Sequence, residues 1–443
     1  MSHPPRPWPL PGRRLLVALA GLAVLGLLPA WRPELAPAWT AAALLLGLLA
    51  LADLWRLLHL PDPRAERLIG EGASVGNPHR VRLRLANDSD RPLRLDCHDH
   101  HPASCRVEGM PANGLDLPPS DTLVIDYRIV PEQRGALAFA GVELRLHAPW
   151  RLWARRRFLP LAQTLRVYPD LAPVARYTLL AAEHQLSQMG IRRRRRRGEG
   201  QDFHQLREYQ TGDPLRQIDW KASSRLRRLI SREYQQERDQ QIVFLLDCGH
   251  RMRGRDGLLS YFDHALNAIL LTAHVALRQG DSVGFASFSG TERWLPPYKG
   301  ALLMNRLLDT LYDLQPTRQA PDYEAAATRL LIHQRRRALV VLVTNLRDGD
   351  PDELLPAIRL LQRRHLVLVA SLREPVIEDL HRQPVHDFES ALRHAGAEDY
   401  LQRRQQALDL LDAHRVMHLD TPPAELATAL VNRYLEIKAT GRL

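Results

Sequence analysis

Ile242-Val243-Phe244-Leu245-Leu246-Asp247-Cys248-Gly249-His250-Arg251 is the stretch on which the reading of this chain turns. Five consecutive apolar residues leave no face for water. A strand of this kind is buried on both sides, as when helices cover both faces of a parallel sheet. A helical pattern follows from about 259 to 279 and stops near Gly280. Further apolar runs are Ser282 to Ser287, Ala338 to Thr344, Leu366 to Ala370 and Val416 to Leu419, with helical stretches between and after them. Strands alternating with helices predict an α/β domain over 239–443 with a mostly parallel sheet. Such sheets bind ligands beyond the carboxyl ends of their strands, and Asp247 stands at that edge.

Upstream, residues 171–238 read as a basic linker and a polar segment. Arg192, Arg193, Arg194, Arg195, Arg196 and Arg197 are consecutive. Residues 192–238 hold fourteen basic and seven acidic side chains, a net +7 out of the chain's +11. An arginine block suits an anionic surface, or is a solvated loop. No aromatic residue interleaves with it, so nucleic acid is not the expected partner. Residues 198–225 are dense in opposite charges and poor in aliphatics. They need a neighbour to dock on, through ion pairs and the rings of Phe203, Tyr209 and Trp220.

From 70 to 170 the pattern changes to period two. Val81-Arg82-Leu83-Arg84-Leu85 alternates strictly, as do 124–130 and 142–146. Strands with one wet face, separated by turn residues, predict an antiparallel sandwich. Cys97, His98, Asp99, His100, His101 and Cys105 carry zinc-ligand chemistry. In a strand, however, Cys97, Asp99 and His101 face away from His98 and His100, which favours a polar strand end over a metal site.

Residues 1–60 hold two uncharged apolar runs, 15–31 and 35–52, broken by Arg32, Pro33 and Glu34. Each is long enough to span a bilayer, and the short turn makes them a hairpin. Arg6, Arg13 and Arg14 precede the pair, and Arg56, Arg64 and Arg67 follow it. Positive-inside bias therefore places both termini and the soluble domains in the cytoplasm. A signal peptide cleaved near Ala36-Pro37-Ala38 fits poorly, because a second apolar run follows at once. The remaining composition closes other classes. At 443 residues and 45% hydrophobic content the chain is neither disordered nor a single small domain, and three cysteines do not make a disulfide scaffold.

Gly198, Phe203, Arg207, Tyr209, Gly212, Asp213, Arg216, Ile218, Asp219, Trp220 and Lys221, followed by Arg232-Glu233-Tyr234, resemble the signature of the bacterial family termed domain of unknown function 58. Pro131, Arg134-Gly135 and Arg166-Val167-Tyr168-Pro169 resemble its β region, and the hairpin matches its layout. The order of elements after 239 resembles a von Willebrand factor A domain. In that fold the first strand ends in a DxSxS motif that helps bind Mg²⁺. Here Asp247 is kept, Gly249 and Arg251 replace the two serines, and Thr344-Asn345 stands where Thr-Asp is common. The resemblance therefore implies a degenerate metal site. Arg251 is expected to pair with Asp247 in the cation's place, with Mg²⁺ on Asp247 and Thr344 as the minor alternative and no other cofactor.

No GxSxG, HExxH or GxxxxGK[ST] motif is present, so no catalytic residue is assigned. A hydrolase centred on Asp247, or anionic-lipid or nucleic-acid binding through the arginine run, stays as the alternative. The resemblance implies a membrane-anchored interaction protein working with a MoxR-type AAA+ ATPase in assembly, chaperone-like or envelope-stress functions at the bacterial inner membrane. The expected contact residues are Asp213, Arg216, Asp219, Trp220, Lys221, Asp247, Gly249 and Arg251.

Overall fold

The computed structural model describes residues 8–70, 72–110, 113–170, 172–182, 202–210, 215, 218–235, 240–257, 259–300, 302–347 and 350–441. The chain divides into two compact units, Met1–Tyr168 and Pro169–Leu443. The arginine run 192–197, together with Asp213 and Arg216, lies outside the described residues.

The second unit contains the α/β domain. Its strands are β1 (Gln241–Asp247), β2 (Ser282–Phe288), β3 (Trp294–Tyr298), β4 (Leu339–Thr344), β5 (Leu366–Leu372) and β6 (Met417–Thr421). Its helices are α1 (Tyr261–Arg278), α2 (Leu302–Leu311), α3 (Tyr323–His333), α4 (Asp350–Gln362), α5 (Pro375–Arg382), α6 (Phe388–Ala413) and α7 (Leu426–Ala439). The sheet order is β3-β2-β1-β4-β5-β6. All neighbours are parallel except the β2–β3 pair. Pro296 and Pro297 cannot donate to a ladder, and they sit on this antiparallel edge strand, where proline is tolerated.

The unbroken apolar run of β1 splits by parity. Ile242, Phe244 and Leu246 enter a core with α1 and α7, through Leu266, Ile269, Leu430 and Tyr434. Val243 and Leu245 enter a second core with α3, α4 and α6, through Leu330, Ile358 and Leu411. Helix α1 starts at a capping box, in which the Ser260 hydroxyl accepts from the Asp263 N–H and the Asp263 carboxylate accepts from the Ser260 N–H. After α1 the chain turns at Gly280, whose φ of +84° suits glycine. Helix α7 is tied to the start of β2 by a buried carboxylate. Asp281 is fully buried and accepts from the Tyr434 hydroxyl at 2.5 Å and from Lys438 Nζ at 2.7 and 2.8 Å.

The first unit carries three sheets. Arg64–Ile69, His79–Ala86, Thr122–Pro131 and Cys105–Glu108 form an antiparallel four-stranded sheet. Five strands in the order Leu10–Pro11, Trp153–Leu159, Val142–His147, Leu93–Asp99 and Leu115–Leu117 form another. The third joins Gly72–Ser74 and Gly135–Phe139 to Gln163–Tyr168, and its first pair is parallel rather than antiparallel. The β region therefore draws in strands from before residue 70.

The alternation holds for Cys97, His98 and Asp99, where the strand ends; His100 and His101 lie beyond it, and the His101 ring centroid lies 6.2 Å from that of His98 rather than on the opposite face. Asp99 is fully buried, takes a bidentate contact from Arg67 and accepts from the Tyr127 hydroxyl at 2.5 Å. Burial pushes the Cys97 thiol up to about 12, with the Asp99 charge adding to the effect, and the Cys105 thiol up to about 11. These groups are spent on the core of the β region.

Two apolar stretches, Arg13–Trp31 and Pro33–Leu58, are long enough to cross a membrane, and their flanks are exposed (Leu44 70%, Leu48 65%). They touch where Trp39 Nε1 donates to the Leu22 carbonyl at 2.9 Å. The second helix, Ala36–Leu58, continues past its uncharged segment into the β region. There Asp53, fully buried, accepts backbone N–H bonds from Trp150 at 3.0 Å and Leu152 at 2.9 Å. Trp153 Nε1 donates to the Ala50 carbonyl at 2.9 Å, and the Arg56 guanidinium lies 4.5 Å from the Trp150 ring centroid.

Candidate functional site at the strand ends

In the sheet order, β1 and β4 are the neighbours at which chain progression reverses, the usual ligand crevice of an open α/β sheet. Asp247 ends β1 and Thr344 ends β4. Both are fully buried. The Thr344 hydroxyl donates to Asp247 Oδ2 at 2.8 Å and lies 3.1 Å from the Tyr323 hydroxyl. Asp247 Oδ1 accepts the Gly249 N–H at 2.7 Å. The carboxylate thus bridges the two strands and folds the following loop back on itself.

That loop is clamped from a second side. The Cys248 carbonyl accepts from the Thr317 N–H at 2.7 Å, and the Gln319 carbonyl accepts from the His250 N–H at 3.0 Å. A Cβ added to Gly249 would lie 2.9 Å from both Asp247 Oδ1 and the Gln319 carbonyl oxygen. Glycine here allows the close approach, and a serine would push the loop open. This bears directly on Mg²⁺. Position 249 offers no hydroxyl, position 251 brings a cation, and the Thr344 hydroxyl is turned onto Asp247. No group of three or more His, Cys, Asp or Glu suited to a metal lies among the described residues. The loop thus lacks both serine hydroxyls of the DxSxS pattern.

Next along the rim, Asn345 Nδ2 and Arg347 Nη2 both reach Glu374 Oε1, at 2.9 and 2.8 Å. Burial works to raise the Glu374 pKa, but Arg347, with hydrogen bonds from Asn345 and Tyr400, outweighs it and holds the carboxyl below its ordinary value. Arg404, 3% exposed, donates to the Leu346 carbonyl, to Ser371 Oγ at 2.8 Å, to the Leu372 carbonyl at 2.9 Å and to Asp420 Oδ1 at 2.6 Å. The carboxyl ends of β4, β5 and β6 are thus knitted by buried polar groups. Glu374, Arg404 and Asp420 carry no local motif that would have marked them in the sequence.

The expected contact residues divide in two. Asp247 and Gly249 are buried, so they shape the loop and offer no surface, while Arg251 is half-buried and His250 exposed. Asp219 caps the helix Trp220–Leu226 by accepting the Ala222 N–H at 3.0 Å. This helix sits in the hairpin of Asp202–Glu208 with Ile230–Gln235. Trp220 is not docked, contrary to the sequence expectation. It is 68% exposed, next to exposed Lys221. Leu215, Leu226 and Leu229 of the same segment are exposed as well.

Residues 205–395 match the family described as "Protein of unknown function DUF58". No curated protein matches the chain. Among solved structures, an aerotolerance-related membrane protein from Bacteroides fragilis is 15% identical over 44% of this chain and 98% of its own, with a TM-score of 0.29. Proximal thread matrix protein 1 from the mussel byssus is 10% identical over 46% and 45%, with a TM-score of 0.25. Salmonella alpha-2-macroglobulin is 16% identical over 24% of this chain and only 7% of its own length, with a TM-score of 0.19.

Proposed function

We propose that this chain is a membrane-anchored, cytosol-facing interaction protein, an adaptor rather than an enzyme, with a von Willebrand factor A-like domain whose ion site has become a fixed polar pin. The observation that carries this is the Asp247–Thr344 hydrogen bond across the switch point. A carboxylate held on both oxygens and shut from solvent is poorly placed to bind a cation or activate water. Arg251, which stands at the position of the second serine of DxSxS, is the residue proposed to complete the pin.

Binding falls to the signature segment. An exposed Trp in a segment that also exposes three leucines is a costly surface in water and suits a protein partner. The partner class, a MoxR-type AAA+ ATPase, comes from the resemblance of that segment. The inner membrane, with both termini cytoplasmic, comes from the arginine flanks of the hairpin.

The test is co-purification of the full chain with a MoxR-type AAA+ ATPase from the same organism. Trp220→Ala leaves an exposed site, so folding is expected to be unaffected. A hot-spot residue of this type costs at least about 2 kcal/mol, roughly a 30-fold loss of affinity. Unchanged recovery of the ATPase by the folded variant would remove Trp220 from the contact.

A further inference from the structure

We propose that the first unit holds a headgroup site for an anionic phospholipid of the surrounding bilayer. The site is a cleft of about 600 Å³ where the first apolar helix leaves the β region. It is lined by Arg13, Arg14 and Val17 of that helix, Arg145 and His147 of the strand Val142–His147, and Arg151 of the next turn. The proposal rests on the hairpin crossing a membrane. It concerns none of the residues assigned to the protein contact.

The charge in this cleft is only partly compensated, by Asp96, which faces Arg145 across the strand ladder; burial works to raise the Asp96 pKa, but the Gly114 N–H, His147 and the Arg145 charge hold it below its ordinary value. Nearby arginines are matched: Arg155 and Arg157 share Asp62, Arg156 lies on Glu143, and Arg94 on Asp116. Arg13, Arg14, Arg145 and Arg151 make no ion pair among the described residues. Arg14 reaches only the Trp150 carbonyl, at 3.5 Å. The neighbouring carboxylate, Asp96, is committed to His147 Nε2 at 2.8 Å and to the Gly114 N–H at 2.8 Å. Four arginines line the cleft against one carboxylate, and that excess of positive charge is set for a phosphodiester, which takes bidentate contacts from arginine.

The cleft is also held rigid. The Gly12 N–H donates to the Leu152 carbonyl at 2.7 Å, and a Cβ on Gly12 would lie 2.3 Å from the Arg151 carbonyl oxygen. Arg151 itself is in the left-handed region at φ +59°, a conformation that a non-glycine residue pays to adopt. The apolar wall then selects a lipid over free phosphate. Val17 is 63% exposed, and the helix continues from it as the span, so a headgroup in the cleft would lay its acyl chains along the helix.

The test uses the full chain, purified in mild detergent, stripped of lipid and titrated with fluorescent phosphatidylglycerol or phosphatidylcholine. The wild type and a charge-matched control, Arg363→Gln with Arg364→Gln, should prefer phosphatidylglycerol. Arg145→Gln with Arg151→Gln should weaken phosphatidylglycerol binding roughly 30-fold and leave phosphatidylcholine unchanged. Arg151→Gly relieves the positive φ, so it keeps the fold while losing one guanidinium. It should show part of the same loss. Equal affinity for both lipids, retained preference in folded Arg151→Gly and in the double variant, or complete displacement by inorganic phosphate would overturn the site. A chain that alkaline carbonate releases from membranes would overturn the span and the site together. A chain that stays in membranes without lipid preference would overturn the site alone.

Discussion

Replacing Thr344 by valine separates a polar pin from a metal site, because the two give opposite responses to Mg²⁺. Valine matches threonine in shape, so packing changes little, but the donor to Asp247 Oδ2 is lost. The carboxylate is fully buried and loses one of its hydrogen bonds. A hydrogen bond to a charged group contributes about 1.5–3 kcal/mol. In a unit of this size each kcal/mol moves Tm by roughly 2–4 °C, so Thr344→Val should melt about 3–12 °C below wild type. Scanning fluorimetry of the full chain in detergent reads this directly, with chelator or with Mg²⁺. The pin predicts the same deficit in both. A metal site instead predicts that Mg²⁺ at a hundred times its Kd stabilises wild type by about 2.7 kcal/mol. A Mg²⁺-dependent rise in wild type that vanishes in Asp247→Ala would refute the pin.

Lys438→Met should destabilise the α/β domain by about 3–5 kcal/mol, because it leaves the buried Asp281 carboxyl without its cationic partner, and Asp281→Asn in the same chain should recover most of the loss, measured by denaturant unfolding. Asp53→Ala should free the Trp150 and Leu152 N–H groups and expose the 148–153 turn to protease, read as faster cleavage there while the strand content in circular dichroism holds. His264, His274 and His365 are held below the ordinary 6.5, chiefly by burial. Unfolding returns their proton affinity to its ordinary value, so stability should be intact above about pH 6.5 and fall as pH drops below it. His365→Gln should flatten that fall in a Tm-versus-pH series.

The elements of the α/β domain could be read from the sequence because both of its cores press on β1. Continuous apolarity in 242–246 needs helices on both faces, and parity assigns each residue to its core. The edge strand Trp294–Tyr298 escaped notice because two prolines mask its pattern. The partners of buried charges were equally hidden. Asp281 and Lys438 are 157 residues apart, Arg67 and Asp99 32, and Asp53 and Leu152 99. Periodicity says which face a residue takes, but it cannot say which distant group meets it there. The candidate site was legible at Asp247 and Thr344, whose positions follow from where strands end. The closure of that site was not legible, because it depends on loop 315–319 folding over residue 249.

The grip on Asp53 has a mechanical consequence. A helix joined to its domain by a loose tether can lean in the bilayer without disturbing what it carries. Here the second helix enters the β region without a break, and its carboxylate holds two consecutive-turn amides. A change in bilayer thickness alters the tilt of a span. If the helix spans a bilayer as proposed, such a change of tilt would turn the β region with it, because the Asp53 bonds leave no loose joint between the two.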